Sequence, residues 1–249
     1  MSRIKSLDLA RGFTVMMIAP IHTVLLYSRL PVRDTLMGKL MAFIAEGPGA
    51  QLFMMLMGVN FAMSRYSANH KSFSAVIRQV GFLLVAGYLL NIAKFVVPHF
   101  FGWIPAGMIA DLGIYSPQPT PDTCIQLALT GDILQFASIA FLVMYGLSCL
   151  PYAEIIASAL ATLICICSPF AWDLHGANPL SNYLLSLAGG QPPRVFFPLF
   201  PWLVYPLVGY AFGRHLAKLK QKAFAFFLVR DLGWILIMTG IFIRLVLRG

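Results

Sequence analysis

Seven stretches of the chain are apolar over lengths that match a bilayer crossing of about 20 residues. They cover roughly residues 8–27, 49–64, 76–97, 125–150, 154–170, 195–212 and 228–247. None shows the two-residue alternation of a half-buried strand, so each predicts a helix. The fifth is short and follows a tight turn at Pro151. The pattern predicts an all-α, polytopic transmembrane helix bundle of about seven spans, with residues 1–249 as one domain. Residues 36–45, LMGKLMAFIA, form an apolar run too short to cross. Such a run suits an interfacial or re-entrant helix leading into the second span.

Polar interruptions of this pattern are few. The first span carries Asp8 and Arg11 at its start and a single histidine, His22, deep inside. His22 follows Arg11 by eleven residues, about 16 Å at ~1.5 Å per residue, close to the midplane of a ~30 Å core. Asp132 lies about 10 Å into the fourth span, entered from the opposite side, so it can share the level of His22. Gln135, three residues on, faces the same side of that helix. An ionisable group at a helix centre costs about 2.5–3.5 kcal/mol on insertion scales, which makes it a functional candidate. His22, Asp132 and Gln135 are therefore expected to face one interior cavity. Simpler readings stand beside this one. A buried histidine can serve only to bond a neighbouring helix. Asp132, after Thr130-Gly131, can be the N-cap of a late helix start. Asp8 and Arg11 can form only a local pair. Glu46, before Gly-Pro-Gly, is either a carboxylate at the mouth of a cavity or a solvated loop residue. Asn60 can bond an adjacent helix. Lys94 and Arg244, near helix ends, are expected to snorkel.

Two further features concern the later spans. Pro198, Pro201 and Pro206 predict either a broken helix beside a cavity or a packing kink. Gly209-x-x-x-Gly213 predicts a close helix contact.

Charge gives the orientation. Eleven of the 18 basic residues (Arg3, Lys5, Arg11, Arg65, Lys71, Arg78, Arg214, Lys218, Lys220, Lys222 and Arg230) fall on one side of a seven-span arrangement. Residues 98–123 hold no Lys or Arg but include Asp111 and Asp122. The positive-inside rule then puts the N-terminus in the cytoplasm. The first loop on the other face dissents mildly, with Arg29, Arg33 and Lys39 against Asp34 and Glu46. Apolar residues make up 59% of the chain and charged ones 11%. The charged share is well below the ~25% of a soluble domain. The four cysteines read as small apolar fillers, and no metal-ligand spacing is present, so no metal is expected. A nucleic-acid partner is not expected either, because the basic residues follow one membrane face. No phosphate-binding glycine loop and no hydrolase or metalloprotease signature occurs.

Arg3-Ile4-x-Ser6-Leu7-Asp8-x-x-Arg11-Gly12, running into an apolar span, resembles the opening of transmembrane acyltransferases. The nearest resemblance is to the heparan-alpha-glucosaminide N-acetyltransferase catalytic-domain family and its bacterial members. Phe53-Met54-Met55-Leu56-Met57-Gly58, Gly131-Asp132-Ile133-Leu134-Gln135 and Phe197-Pro198-x-x-Pro201-Trp202 resemble further segments of that family in the same order. The resemblance implies a multi-pass protein of a bacterial inner membrane. It would move an acetyl or other acyl group from acyl-CoA to an extracytoplasmic or lipid-linked saccharide, using no metal. It implies catalytic roles for His22, as base or transient acyl carrier, and for Asp132, which would orient it. Asp8, Arg11, Glu46, Asn60, Gln135 and Trp202 would bind substrate or cofactor, Arg11 through a donor phosphate. The bilayer, the acyl-CoA and the saccharide are the expected partners, and a homo-oligomer is compatible. A transporter using a His/Asp proton relay and a catalytically degenerate family member are the alternatives.

Overall fold

The computed structural model describes residues 5–24, 28, 30–44, 49–64, 73–104, 119–172, 174, 176–191, 194–218 and 233. Among these residues the secondary structure is helical, apart from one isolated bridge. The helices are α1 (Lys5–His22), α2 (Leu30–Arg33), α3 (Leu36–Ile44), α4 (Ala50–Met63), α5 (Phe73–Asn91), α6 (Val97–Phe100), α7 (Pro121–Ala128), α8 (Ile133–Ser148), α9 (Ala153–Ala171), α10 (Pro179–Gly189), α11 (Leu199–Trp202) and α12 (Val204–Lys218). A π-helical turn, Ile92–Val96, joins α5 to α6 without a break.

Two of these helical runs are long and apolar enough to cross a membrane, Phe73–Phe100 and Ala153–Ala171. Ala50–Met63 and Ile133–Ser148 are apolar but shorter. Of the expected seventh span, 228–247, the described residues include residue 233 alone.

The packing follows the placement of small residues. Ala153, Ala157 and Ala161 recur every fourth position of α9, and all are buried. Residues at that spacing share one helix face. They make a smooth stripe that lets α12 lie against α9. The other side of α12 carries Gly209 and Gly213, which face α4. A Cβ on Gly213 would sit 2.9 Å from both the Ala62 Cβ and the Val59 carbonyl oxygen. A Cβ on Gly209 would run into the Met55 carbonyl, and one on Gly58 into the Pro206 carbonyl. Glycine here is a matter of distance between backbones, the close-contact role expected for Gly209-x-x-x-Gly213. Around these contacts Met54, Phe61, Phe136, Met144, Leu207 and Tyr210 fill the core. Phe61 packs edge-on against Phe141, with ring centroids 5.4 Å apart.

Two expected spans are not continuous. Within 125–150 the chain leaves helix after Ala128 and re-enters it at Ile133. Gly131 is drawn into a parallel bridge with Val195: its N–H donates to the Arg194 carbonyl (3.0 Å) and its carbonyl accepts from the Phe196 N–H (2.8 Å). Within 195–212 the chain is non-helical up to Pro198, makes the single turn α11, and starts α12 at Val204. Phe200 has non-helical dihedrals, and the Phe200–Pro201 peptide is cis. Pro198 and Pro201 therefore fall where the helix is broken, whereas Pro206 lies inside the first turn of α12. The two interruptions touch, so each covers backbone groups that the other frees, as buried polar backbone requires.

Candidate functional site

The interruption between α7 and α8 gathers the main polar cluster of the bundle. Asp132 is the N-cap of α8. Its Oδ1 accepts from the Ile133 N–H at 2.8 Å, and Gln135 completes a reciprocal capping box. The Asp132 N–H donates to the Gln135 Oε1 at 3.3 Å. The cap and the intramembrane acid, two readings of Asp132 in the sequence, are thus one arrangement. The other carboxylate oxygen, Oδ2, accepts from the Lys94 ammonium, and the pair is largely buried, with side-chain exposures of 15% and 10%. One turn below Lys94, Asn91 donates through Nδ2 to the carbonyls of Thr130 (2.7 Å) and Ala128 (3.2 Å), clasping the two carbonyls at the helix break.

Gln135 is fully buried, and its amide lies against Gly87 of α5. A Cβ there would stand 2.9 Å from the Gln135 Cδ. The Gln135 Nε2 and the Asn91 Oδ1 are buried without a hydrogen-bond partner, as is the Nε2 of His99, which lies on the same face of the run as Asn91 and Phe95.

Lys94 departs from its expected place at an aqueous boundary: it turns inward to Asp132 and lies 4.4 Å from the Phe95 ring centroid. The π-helical turn carries it there, since one extra residue per turn re-aims the side chains after Asn91. A signal was present in the sequence. Asp132 is the one charged residue between positions 125 and 150, and a lone intramembrane acid needs a cation from a neighbouring helix.

A second place collects other expected residues. A cavity of about 370 Å³ opens between α1, α4 and α8, with Arg11 and Asn60 both in its lining. Its remaining wall is mainly apolar, with Phe53, Met57, Phe61 and Phe141 contributing. Arg11 also pairs with Asp8 at 3.4 Å, on an exposed part of α1. The local pair and the cavity position coexist. Phe141 follows Asp132 by nine positions along α8. That separation is about 14 Å along the helix axis, at ~1.5 Å per residue. The cavity and the Lys94–Asp132 cluster thus lie at different heights of one helix.

Trp202 stands apart from both, half-buried in an aromatic group with Phe197 (5.0 Å, edge-on) and Tyr205 (5.8 Å). His22 closes α1, but its side chain, like the whole of Glu46, lies outside the described residues. The structure therefore unites Asp132 with Gln135 and Arg11 with Asn60.

Two membrane-length apolar helices, an internal ion pair at a broken helix and a carbon-walled cavity give this helical protein the make-up of a membrane-associated one. The family model described as heparan-alpha-glucosaminide N-acetyltransferase, catalytic, matches residues 3–241. The chain belongs to that family, whose name points to a transferase of the acetyltransferase type. No curated protein and no solved structure matches the chain.

Proposed function

We propose that the protein is a multi-pass acyltransferase of a bacterial inner membrane, with about seven spans and a cytoplasmic N-terminus. It moves an acyl group from acyl-CoA to an extracytoplasmic or lipid-linked saccharide. The reading rests on the family match, and one observation gives it a geometry. A single helix, α8, carries a buried polar cluster at its start and closes a separate cavity further along. With the N-terminus inside, the cavity faces the cytoplasmic half and takes the donor. The Lys94–Asp132 cluster faces the other half and meets the acceptor.

In this reading Arg11 binds a phosphate of the donor. A guanidinium presents several N–H donors, and Asp8 engages one of its nitrogens. Asn60, one helical turn from the end of α4, holds an amide or carbonyl of the donor arm. His22 is the base. It accepts the proton of the acceptor hydroxyl or amine as that oxygen or nitrogen attacks the thioester carbon. The C–S bond then breaks, a C–O or C–N bond has formed, and the proton passes to the departing CoA thiolate. Asp132 acts on the acceptor side together with Lys94. Its two oxygens are engaged by Lys94 and by the α8 backbone, so it fixes the ammonium in place. Gln135, with an unpartnered Nε2, and Trp202 belong to the same half.

Binding of radiolabelled acetyl-CoA to the purified protein tests the donor site. Arg11→Ala is expected to weaken it by about tenfold, the loss of one charge-assisted hydrogen bond. Wild-type protein that binds no CoA ester would remove the enzyme reading.

A second reading, a proton-coupled transporter, draws support from the broken helices at a buried ion pair. It predicts solute uptake driven by a pH gradient and no movement of acyl label.

A further inference from the structure

An open groove of about 790 Å³, separate from the donor cavity, runs between α9 and α12. Glu154 and Cys165 of α9 both line it, eleven positions apart. That separation is about 16 Å at ~1.5 Å per residue, half of a ~30 Å hydrocarbon core. The groove therefore has the length of one leaflet. Its walls are mainly carbon, from Ile155, Ala161, Val204, Val208 and Phe212. Two hydroxyls also line it, and each is satisfied by its own helix. Ser158 donates to the Glu154 carbonyl (2.9 Å) and Thr162 to the Ser158 carbonyl (3.1 Å).

One end of the groove is ionic, because the first turn of α9 meets the last turns of α12. The Glu154 Oε1 accepts from the Lys218 ammonium, while Oε2 lies 3.9 Å from the Arg214 Nε. The second separation is too long for a hydrogen bond. Two cations thus share a single carboxylate, and this group of three keeps one positive charge. The exposed His215 lines the same end. The Arg214 Nε is buried without a hydrogen-bond partner, although the side chain as a whole is 30% exposed beside the groove. A base that only reached for water would keep its donors hydrated. Arg214 is instead held in place with an acceptor missing, and a phosphate oxygen at this end supplies one.

The shape and the charge together select the occupant. A second copy related by a twofold axis would set groove against groove. Two concave faces leave a void, and the Arg214 and Lys218 of both copies would crowd one another. A zwitterionic lipid would bring its own ammonium among these cations. An anionic phospholipid fits both ends, with a chain for the carbon walls and a net negative head for the cations.

We propose that the α9/α12 groove binds one anionic phospholipid, its phosphate on Arg214 and Lys218 and an acyl chain along Ala161, Val208 and Phe212. In the proposed orientation this end faces the cytoplasm, where anionic lipids attract basic residues. The site uses none of the residues given catalytic or donor-binding roles, so it stands apart from the acyltransferase reading.

Native mass spectrometry of the purified chain in mild detergent tests it, with phosphatidylglycerol and phosphatidylcholine of identical acyl chains added in turn. One phosphatidylglycerol is expected to bind at least about tenfold more tightly than phosphatidylcholine, the scale of a charge-assisted hydrogen bond. Arg214→Gln removes the charge and the guanidinium fork, and should bring the two lipids to within about twofold of each other. Should that variant fail to fold, Val208→Trp carries the test. It fills the groove at an exposed position away from the ions, and should weaken phosphatidylglycerol binding at least about tenfold by displacing several methylenes. Free glycerol phosphate, which has the head and no chain, should not compete. Equal binding of the two lipids to wild-type protein would overturn the proposal. So would phosphatidylglycerol binding unchanged by Val208→Trp, or displaced by free glycerol phosphate. A lipid-free dimer that Val208→Trp dissociates would give the groove to a second copy instead.

Discussion

Lys94→Met is expected to destabilise the protein by about 3 kcal/mol or more, the usual result of stripping one partner from a buried ion pair. The Asp132 carboxylate would stay enclosed between α5 and α8 with one oxygen still on the α8 backbone and the other deprived of its cation. The combined variant Lys94→Met, Asp132→Asn should recover most of the loss. Asparagine is as good an N-cap as aspartate, so the start of α8 survives, and no charge is left to desolvate. Thermal unfolding in detergent reads both variants. Wild-type stability for Lys94→Met alone would show that the pair does not tie α5 to α8. If the double variant is stable but inactive, the pair is needed for the acceptor half of the reaction as well as for the fold.

The second large effect belongs to the contact between α4 and α12. Gly209→Val would drive a branched side chain into the Met55 carbonyl, where even a Cβ has no room. Backbone cannot yield as a flexible side chain does, so α12 must move away from α4 and expose the shared core. A loss of about 3 kcal/mol or more is expected, seen as failure to recover monodisperse protein from detergent. Gly81→Ala is the matched control. Gly81 sits within α5 with nothing within 4 Å of its would-be Cβ. Alanine there should be neutral or stabilising by up to about 1 kcal/mol through helix propensity. Equal tolerance of both changes would mean that the α4–α12 approach is not the constraint described.

Much of the architecture is legible in the hydrophobic pattern. Residues 49–64 and 154–170 emerge as α4 and α9 within a residue or two, because their apolar runs end at turn-forming neighbours. The glycine spacing in α12 announces a close contact, and the structure supplies its partner, Gly58 and its neighbours on α4. The break inside 125–150 is harder to see. Leu127, Ala128 and Leu129 read as helix, and Gly131 is tolerated in many helices. What stops the helix is Val195, distant in sequence, whose neighbours bond both backbone groups of Gly131. Hydropathy cannot show a pairing between two loops.

The site divides in the same way. Asp132 and Gln135 are local, three residues apart in a capping box, and their association is legible. Arg11 and Asn60 share a cavity only because α1 packs on α4, which no spacing reveals. Lys94 escaped because its aim depends on a π-helical turn, and one added residue there redirects the side chain from the boundary to the interior. All of the seventh expected span but residue 233, the His22 side chain and Glu46 lie outside the described residues, so the structure leaves those expectations where the sequence put them.

In the proposed reaction an acyl group leaves a CoA thioester on one side of this bundle and arrives on a saccharide at the other. The direct measurement uses protein reconstituted in liposomes, with acetyl-CoA labelled in the acyl group on the side of Arg11 and an amino-sugar oligosaccharide on the opposite side. Label should appear on the oligosaccharide with wild-type protein, and should fall at least about 100-fold with His22→Ala, the scale of losing a general base. Label that remains on CoA with wild-type protein, or transfer by His22→Ala at the full rate, would contradict the account.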